Sequence, residues 1–176
     1  MEDYTIKTRI TEEELKEGIK RVADKINEEY AGKTVHLICV LKGGVYFLTE
    51  LSKYITKADV TIDFMSVSSY GAGTRSSGVV KIIKDLDEPI EGKNVIVVED
   101  IIDSGNTLSY LIELLKARKP ASLRLATMLD KPSRRVKPLT SDWSAFVIDD
   151  YFVAGFGLDY DQKMRNLPYI AEVVFK

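Results

Sequence analysis

The chain has 176 residues, of which 45% are hydrophobic and 30% charged, a composition that predicts one folded domain and excludes a disordered chain. Its 25 Lys and Arg against 27 Asp and Glu give a formal charge of -2, so there is no overall basic field to hold nucleic acid or an acidic membrane. The single cysteine, Cys39, excludes an internal disulfide and a cysteine-rich zinc site.

The first ten residues lack the apolar stretch of a signal peptide. No apolar run in the sequence approaches the ~18 residues that a membrane span needs. We therefore expect a cytoplasmic protein without a membrane anchor.

Apolar residues recur every three or four positions from Thr11 to Tyr30, which predicts a helix that begins with a capping box of Thr11 and Glu14. Further helices are predicted at 45–55 and 107–118. Strands are predicted at 35–41, 60–67, 79–84, 94–98, 122–129, 145–148 and 169–175. Alternating strands and crossover helices predict an α/β fold with a mainly parallel twisted sheet and helices on both faces, and the late strands predict a small hood beside it.

The segment 68–78 (SSYGAGTRSSG) is small, polar and rich in glycine. It is too long for a tight hairpin, so we predict a mobile loop. The spacing of Gly71, Gly73 and Gly78 does not match a dinucleotide-binding fingerprint.

Ligands of open α/β sheets bind beyond the carboxyl ends of the strands. The segment with the most candidate residues there is 97–107 (VVEDIIDSGNT), in which Glu99, Asp100 and Asp103 precede small polar residues at a helix start. The backbone N–H groups of that start would bind an anion. Carboxylates beside a phosphate repel it unless a sugar and a divalent cation intervene. The alternative is an ordinary acidic loop with a helix N-cap.

With a sugar and a cation, Glu99 and Asp100 would accept hydrogen bonds from ribose hydroxyls or support Mg²⁺, and Ser104 to Thr107 would hold a 5′-phosphate. Asp103 would be left for proton transfer. This segment resembles the phosphoribosyl-diphosphate-binding signature of the type I phosphoribosyltransferases. The similarity continues at 41–44, 69–70, 129–132, 152–153, 157–160 and 165–168.

Together these motifs resemble the bacterial hypoxanthine-guanine phosphoribosyltransferases over almost the whole chain. The resemblance implies a single domain over residues 1–176, with a hood formed by the N-terminal segment and roughly 130–176. It places Asp103 as the general base or acid at purine N7. It also implies Mg²⁺ as cofactor, held by Glu99, Asp100 and Asp159, and a 5′-phosphate loop made of Ser104, Gly105, Asn106 and Thr107.

For the other groups, the resemblance implies that diphosphate is bound by Lys42, Gly43 and Arg165, in a loop that usually contains a non-proline cis peptide. The implied purine-binding residues are Lys131 at the 6-oxo group, Phe152 stacked on the ring, Val153 through its main chain, and Asp159 at the purine edge. Ser69 and Tyr70 would belong to a lid.

Some of these residues, and the neighbouring arginines, also have a simpler interpretation. Lys42 fits a solvated turn lysine, Phe152 fits a core aromatic, and the pair Arg134 and Arg135 fits a solvated loop. The sequence 149–151 (DDY) departs from the proline-containing approach that is usual in the family. Because this segment directly precedes Phe152, the departure affects the expected shape of the base pocket.

The predicted reaction is Mg²⁺-dependent transfer of ribose 5-phosphate from phosphoribosyl diphosphate to N9 of hypoxanthine or guanine, which gives IMP or GMP and diphosphate. The expected partners are these small molecules and further copies of the chain, as a homodimer or homotetramer, without nucleic acid or membrane. One alternative is a regulatory protein of the same fold that senses phosphoribosyl diphosphate and binds RNA or DNA. Another is a transferase for adenine, xanthine or a pyrimidine.

Overall fold

The fold comes from a computed structural model that describes residues 3–69 and 80–176. The helices are α1 (Glu12–Tyr30), α2 (Val45–Tyr54) and α3 (Asn106–Lys116). The strands are β1 (Tyr4–Ile10), β2 (Thr34–Leu41), β3 (Asp59–Ser69), β4 (Val80–Lys84), β5 (Asn94–Ile102), β6 (Ser122–Asp130), β7 (Trp143–Val147), β8 (Val153–Ala154) and β9 (Ile170–Phe175).

Six strands form the large sheet in the order β4-β3-β2-β5-β6-β7. All neighbours are parallel except β4, which lies antiparallel at one edge. The central strand β2 reads as a nearly continuous apolar run because both of its faces are covered. The expected mainly parallel sheet is confirmed.

Helices cover both faces of this sheet, as predicted. Alternate residues of β2 point to opposite faces: Leu37 and Cys39 pack with α1 and α2, whereas Ile38 and Val40 pack with α3. Helix α1 has the predicted capping box, in which Thr11 Oγ1 accepts from Glu14 N at 3.2 Å and Glu14 Oε2 accepts from Thr11 N at 2.8 Å.

A second sheet of three antiparallel strands has the order β1-β9-β8. Strand β1 pairs with β9 from Tyr4 opposite Phe175 to Ile10 opposite Ile170. This sheet takes its strands from the two regions expected for the hood. One part of that expectation is wrong, because β7 pairs in parallel with β6 in the large sheet. Its residue Ala145 belongs to the core under α1, which explains the difference.

Ser68 and Ser69 extend β3 and so are not part of a loop. Tyr70 and the rest of the predicted lid, together with the three glycines of that segment, lie outside the described residues, so the lid stays a prediction. Among the helices that the structure describes, none is long and apolar enough to cross a membrane.

Candidate active site

Strand β5 carries the acidic residues into the centre of the large sheet. It pairs with β2 on one side and β6 on the other, and it continues to Ile102 rather than ending at Val98 as predicted. The strand is longer because Glu99 and Ile101 pair with Thr127 and Leu129 of β6. Glu99 and Asp100 therefore lie on the strand itself, fixed by its ladder.

Burial at this position raises the pKa of both carboxyl groups. The pKa of Glu99 lies well above its usual range because of burial and, second, the charge of Asp100. Burial raises the pKa of Asp100 to about 6, and Asp159 adds to the rise while Arg165 opposes it. Asp100 Oδ1 accepts a hydrogen bond from Ile101 N at 2.7 Å. The pair is thus short of positive charge, as a cation site would be.

These carboxylates do not form a complete protein cage for a metal ion. Within residues 3–69 and 80–176, no group of three or more His, Cys, Asp or Glu is placed to hold one. The predicted ligands Glu99, Asp100 and Asp159 are therefore not gathered around one point. Mg²⁺, however, is usually bound through one or two carboxylates together with waters and substrate phosphates. Two poorly neutralised carboxylates on one strand fit that mode of binding.

Helix α3 begins immediately after the acidic residues, with Gly105 at its N-cap in the left-handed region (φ +79°), where the N-cap residue has no side chain to cap the helix. Asn106 N points to Ser104 Oγ at 3.4 Å. A cavity of about 150 Å³ opens here, lined by Glu99, Ile101, Ile102, Asp103, Ser104, Gly105, Asn106, Thr107 and Leu108. A helix start with glycine at its N-cap, beside a cavity, can accept an anion through the N–H groups of its first turn.

Asp103 lies at the rim of this cavity, where two arginines hold it. Arg134 Nε donates to Asp103 Oδ1 at 3.2 Å, and its Nη1 lies 3.5 Å from Asp150 Oδ2. Arg135 is largely buried; it donates to the carbonyl of Asp103 at 3.1 Å and also contacts the carboxylate of Asp130. The side chain of Arg134 is 52% exposed, in keeping with a solvated loop, whereas that of Arg135 is only 13% exposed. The solvated-loop interpretation is therefore wrong for Arg135 alone.

The loop between β2 and α2 packs directly on the acidic strand. The peptide bond between Leu41 and Lys42 is cis, in the loop where the resemblance implied one. A Cβ added to Gly43 would lie 1.6 Å from Asp100 Oδ2, and one added to Gly157 would lie 2.1 Å from the carbonyl oxygen of Gly43. Only glycine permits these approaches. The side chain of Lys42 extends to Gln162, with Nζ 3.3 Å from Oε1.

Arg165 and Asp159 form an ion pair next to this loop. Arg165 Nη2 lies 2.6 Å from Asp159 Oδ1, and its Nη1 donates to the carbonyl of Gly157 at 2.6 Å. Asp159 Oδ2 also accepts from Gln162 N at 2.8 Å. The guanidinium is therefore held by the segment 157–159, close enough to Asp100 for its charge to act on that carboxyl group.

Lys131 directly follows β6, and its N donates to the carbonyl of Ile102, the residue before Asp103, at 3.0 Å. Its Nζ donates to the carbonyl of Tyr151 at 2.5 Å, and the residue is only 7% exposed. The next residue, Phe152, is 46% exposed, so it is not the core aromatic of the simpler interpretation. Val153 is buried in β8, opposite Glu172 of β9. The segment 149–151 thus supplies the carbonyl that holds the lysine.

Comparison with known proteins identifies the family. The family model described as the phosphoribosyl transferase domain matches residues 8–161. The chain belongs to this family. It is 48% identical to a hypoxanthine-guanine phosphoribosyltransferase of Bacillus subtilis, over 93% of this chain and 91% of that one. It is 47% identical to a hypoxanthine phosphoribosyltransferase of Buchnera aphidicola, over 98% of both.

A crystal structure of a hypoxanthine-guanine phosphoribosyltransferase from Bacillus anthracis superimposes with a TM-score of 0.92 at 48% identity, covering 98% of this chain and 100% of that one. The expected family membership and α/β fold are therefore confirmed.

In this member of the phosphoribosyl transferase family, the described candidate residues gather at the carboxyl ends of the strands of the large sheet. Asp100 is linked to Gly43 and Arg165, and Asp103 is linked through Arg134 to the segment before Phe152. Sequence reasoning missed Arg135 and Gln162, whose contacts join residues far apart in the chain. The adjacent arginines after Lys131 were the signal available for the first; we find no signal for Gln162.

Proposed function

We propose that this chain transfers the 5-phosphoribosyl group from phosphoribosyl diphosphate to N9 of hypoxanthine or guanine, with Mg²⁺ and release of diphosphate. The observation that carries the proposal is that three features meet at the carboxyl ends of the strands of the large sheet. These are the acidic end of β5, the start of α3 with Gly105 at its N-cap, and Lys131 held beside an exposed Phe152. The chain's family and the substrate names of its relatives support it.

The 5′-phosphate would bind at the start of α3. Ser104, Gly105, Asn106 and Thr107 line the cavity there, and N–H groups of the first helical turn can donate to phosphate oxygens. Glu99 and Asp100 stand on the adjoining strand, where their carboxylates can accept from the ribose hydroxyls. The phosphate of the ligand would thus meet hydrogen-bond donors, and its sugar would meet hydrogen-bond acceptors.

Diphosphate would bind at Lys42, Gly43 and Arg165. Mg²⁺, when bound with it at Glu99, Asp100 or Asp159, supplies charge neutralisation for the leaving group. The chain's own residues hold the leaving group in place: the lysine and arginine donate to phosphate oxygens, and Gly43 lets the loop backbone approach Asp100. Asp159 keeps the Arg165 guanidinium oriented through their ion pair.

The purine would stack on Phe152, with its 6-oxo group toward Lys131 and its edge along the main chain of Val153 and toward Asp159. An ammonium carries three N–H donors. The Tyr151 carbonyl accepts one hydrogen bond, which leaves donors for the purine oxygen. Asp103 would take the N7 proton as N9 attacks, because a carboxylate within reach of the transferred proton can act as general base.

The chemical demand on the site is to manage separated charge. As the bond to diphosphate breaks, the ribose gains positive character and the leaving group gains negative charge. Glu99 and Asp100 lie on the ribose side and Arg165 on the diphosphate side. Water must be kept from the ribose, since it would intercept the group being transferred.

Initial rates with hypoxanthine, guanine, xanthine, adenine and uracil test the proposal, each with phosphoribosyl diphosphate and Mg²⁺. We expect hypoxanthine and guanine to be used far faster than the others. Preference for xanthine, adenine or uracil would assign another base to this enzyme, and no turnover of any base would contradict the proposed reaction.

The expected partners need tests of their own. Light scattering of the purified chain measures whether it is a homodimer, a homotetramer or neither. Titration with RNA and DNA at low and physiological salt tests the regulatory alternative, because specific binding persists where a weak electrostatic association disappears.

A further inference from the structure

Phe152 belongs to a group of aromatic rings at the edge of the small sheet. This aromatic cluster consists of Tyr4, Phe152, Tyr160 and Phe175. The Phe152 ring lies 5.7 Å from the Tyr160 ring and 6.0 Å from the Phe175 ring, and both contacts are edge-on. Tyr160 and Phe175 also contact each other, at 5.3 Å. The three rings therefore form a closed triangle.

The triangle is anchored at one end of the small sheet, where β1 begins and β9 ends. Tyr160 meets Tyr4 of β1 at 5.3 Å with an angle of 78° between the rings. Phe175 is the last residue of β9, directly opposite Tyr4 in the register. The backbone of Phe152 is fixed separately, since its carbonyl accepts from Val173 N at 2.8 Å. The ring of Phe152 is thus oriented by side chains from distant parts of the chain.

Phe152 and Phe175 are 46% and 45% exposed, so their contact does not belong to the buried core. An exposed phenylalanine without neighbours samples several rotamers, and edge-on ring pairs favour one of them. A ligand that needs one rotamer binds with an affinity reduced to the fraction of time that the ring spends in that rotamer.

We propose that Phe175, supported by Tyr160, is a positioning residue that fixes the Phe152 ring for stacking on the purine. The inference rests on the proposed function, because it assumes that the base binds on Phe152. It assigns a part of base recognition to the end of β9, a strand without any of the predicted site residues. Phe175 itself does not need to touch the base.

The test compares Phe175→Ala with Phe175→Tyr and with Val174→Ala as the matched control. Val174 is the adjacent residue on β9, 41% exposed, and lies outside the aromatic cluster. For Phe175→Ala we expect the KM for hypoxanthine to rise about three- to tenfold, the effect of losing ring contacts of this kind. The kcat and the KM for phosphoribosyl diphosphate should stay within about twofold. Phe175→Tyr should restore the KM for the base.

A double-mutant cycle separates positioning from general loosening of the sheet. In a Phe152→Ala background, Phe175→Ala should add nothing to the KM for hypoxanthine, because the ring it orients is gone. An additive rise there would overturn the inference, as would an unchanged KM in the single variant or an equal rise for both substrates. A wild-type chain that does not use hypoxanthine would instead contradict the proposed function.

Discussion

The α-carbon of Gly43 lies against the carboxylate of Asp100, so closely that a Cβ would sit 1.6 Å from Oδ2. This contact joins the loop after β2 to the acidic end of β5. The position of the Asp100 carboxylate therefore depends on the position of the Gly43 loop. A single methyl group is therefore a sharp probe of the site.

Gly43→Ala should displace the loop or turn the Asp100 carboxylate away. Because a misplacement of about 1 Å in an active site costs on the order of 10²-fold in rate, we expect kcat/KM for phosphoribosyl diphosphate to fall by about that factor. Gly32→Ala is the control, since a Cβ there has no atom within 4 Å. Gly32 has φ +70°, so its variant should lose some stability but keep its kinetics. Equal kinetics for the two variants would disprove the role of the contact.

Asp100→Asn should stabilise the fold at neutral pH while removing activity. Because the folded-state pKa of Asp100 is raised to about 6 from an ordinary value of 3.8, the folded protein binds more protons than the unfolded chain between these values. The contribution of this group to the free energy of unfolding therefore decreases as pH rises from about 4 to about 6. We expect the Tm difference between Asp100→Asn and wild type to grow over that interval and then level off. A difference that is constant with pH would contradict the raised pKa.

Removal of divalent cations should stop turnover without unfolding the protein. The described carboxylates do not form a cage that could hold Mg²⁺ without substrate, so the ion should not contribute to the fold. We expect EDTA to abolish activity, excess Mg²⁺ to restore it, and the Tm of the free protein to be the same with and without EDTA. Full turnover in metal-stripped buffer would exclude Mg²⁺ from the reaction.

Asp103→Asn should lower kcat by about 10²–10⁴, the usual share of general acid–base catalysis, with the KM values little changed. The structure offers a matched control, because Arg134 pairs with both Asp103 and Asp150. Asp150→Asn neutralises the other carboxylate that pairs with Arg134. It should leave kcat within about threefold of wild type, because surface ion pairs contribute little. A similar fall in both variants would assign the effect to Arg134 rather than to proton transfer.

Lys131→Met should narrow the preference for hypoxanthine over adenine. The ammonium complements a 6-oxo group but faces the 6-amino group of adenine donor to donor, and unpaired donors in such a site cost about 1–3 kcal/mol. Wild-type kcat/KM should favour hypoxanthine by roughly ten- to several-hundred-fold. The variant should lose most of its efficiency with hypoxanthine while its KM for phosphoribosyl diphosphate is retained. An unchanged ratio of the two bases would show that Lys131 does not distinguish the 6-substituent.

The large sheet and the helices could be predicted because their signals are local: continuous apolar runs, helical periodicity, and the capping box at Thr11. Strand β1 was not predicted because its hydrogen bonds go to β9, at the other end of the sequence. The end of β5 was misplaced for the same reason, since Glu99 is held in the strand by Thr127 of β6.

In the site, residue types and spacing identified Glu99, Asp100 and Asp103. Contacts across the fold were not visible in the sequence, such as Arg165 with Asp159 or Lys131 with the Tyr151 carbonyl. These contacts depend on side-chain positions that only the folded chain defines.

The pairing of β1 with β9 also affects how the protein is made. During synthesis, residues 12–147 can assemble the large sheet, but β1 must wait for a partner that emerges about 160 residues later. Until then, β1 is an unpaired strand edge, which can pair with the wrong chain. Closing so long a loop is also slow compared with local contacts. The small sheet, and the aromatic cluster at its edge, should therefore be the last part of the molecule to form and the most sensitive to crowding of nascent chains.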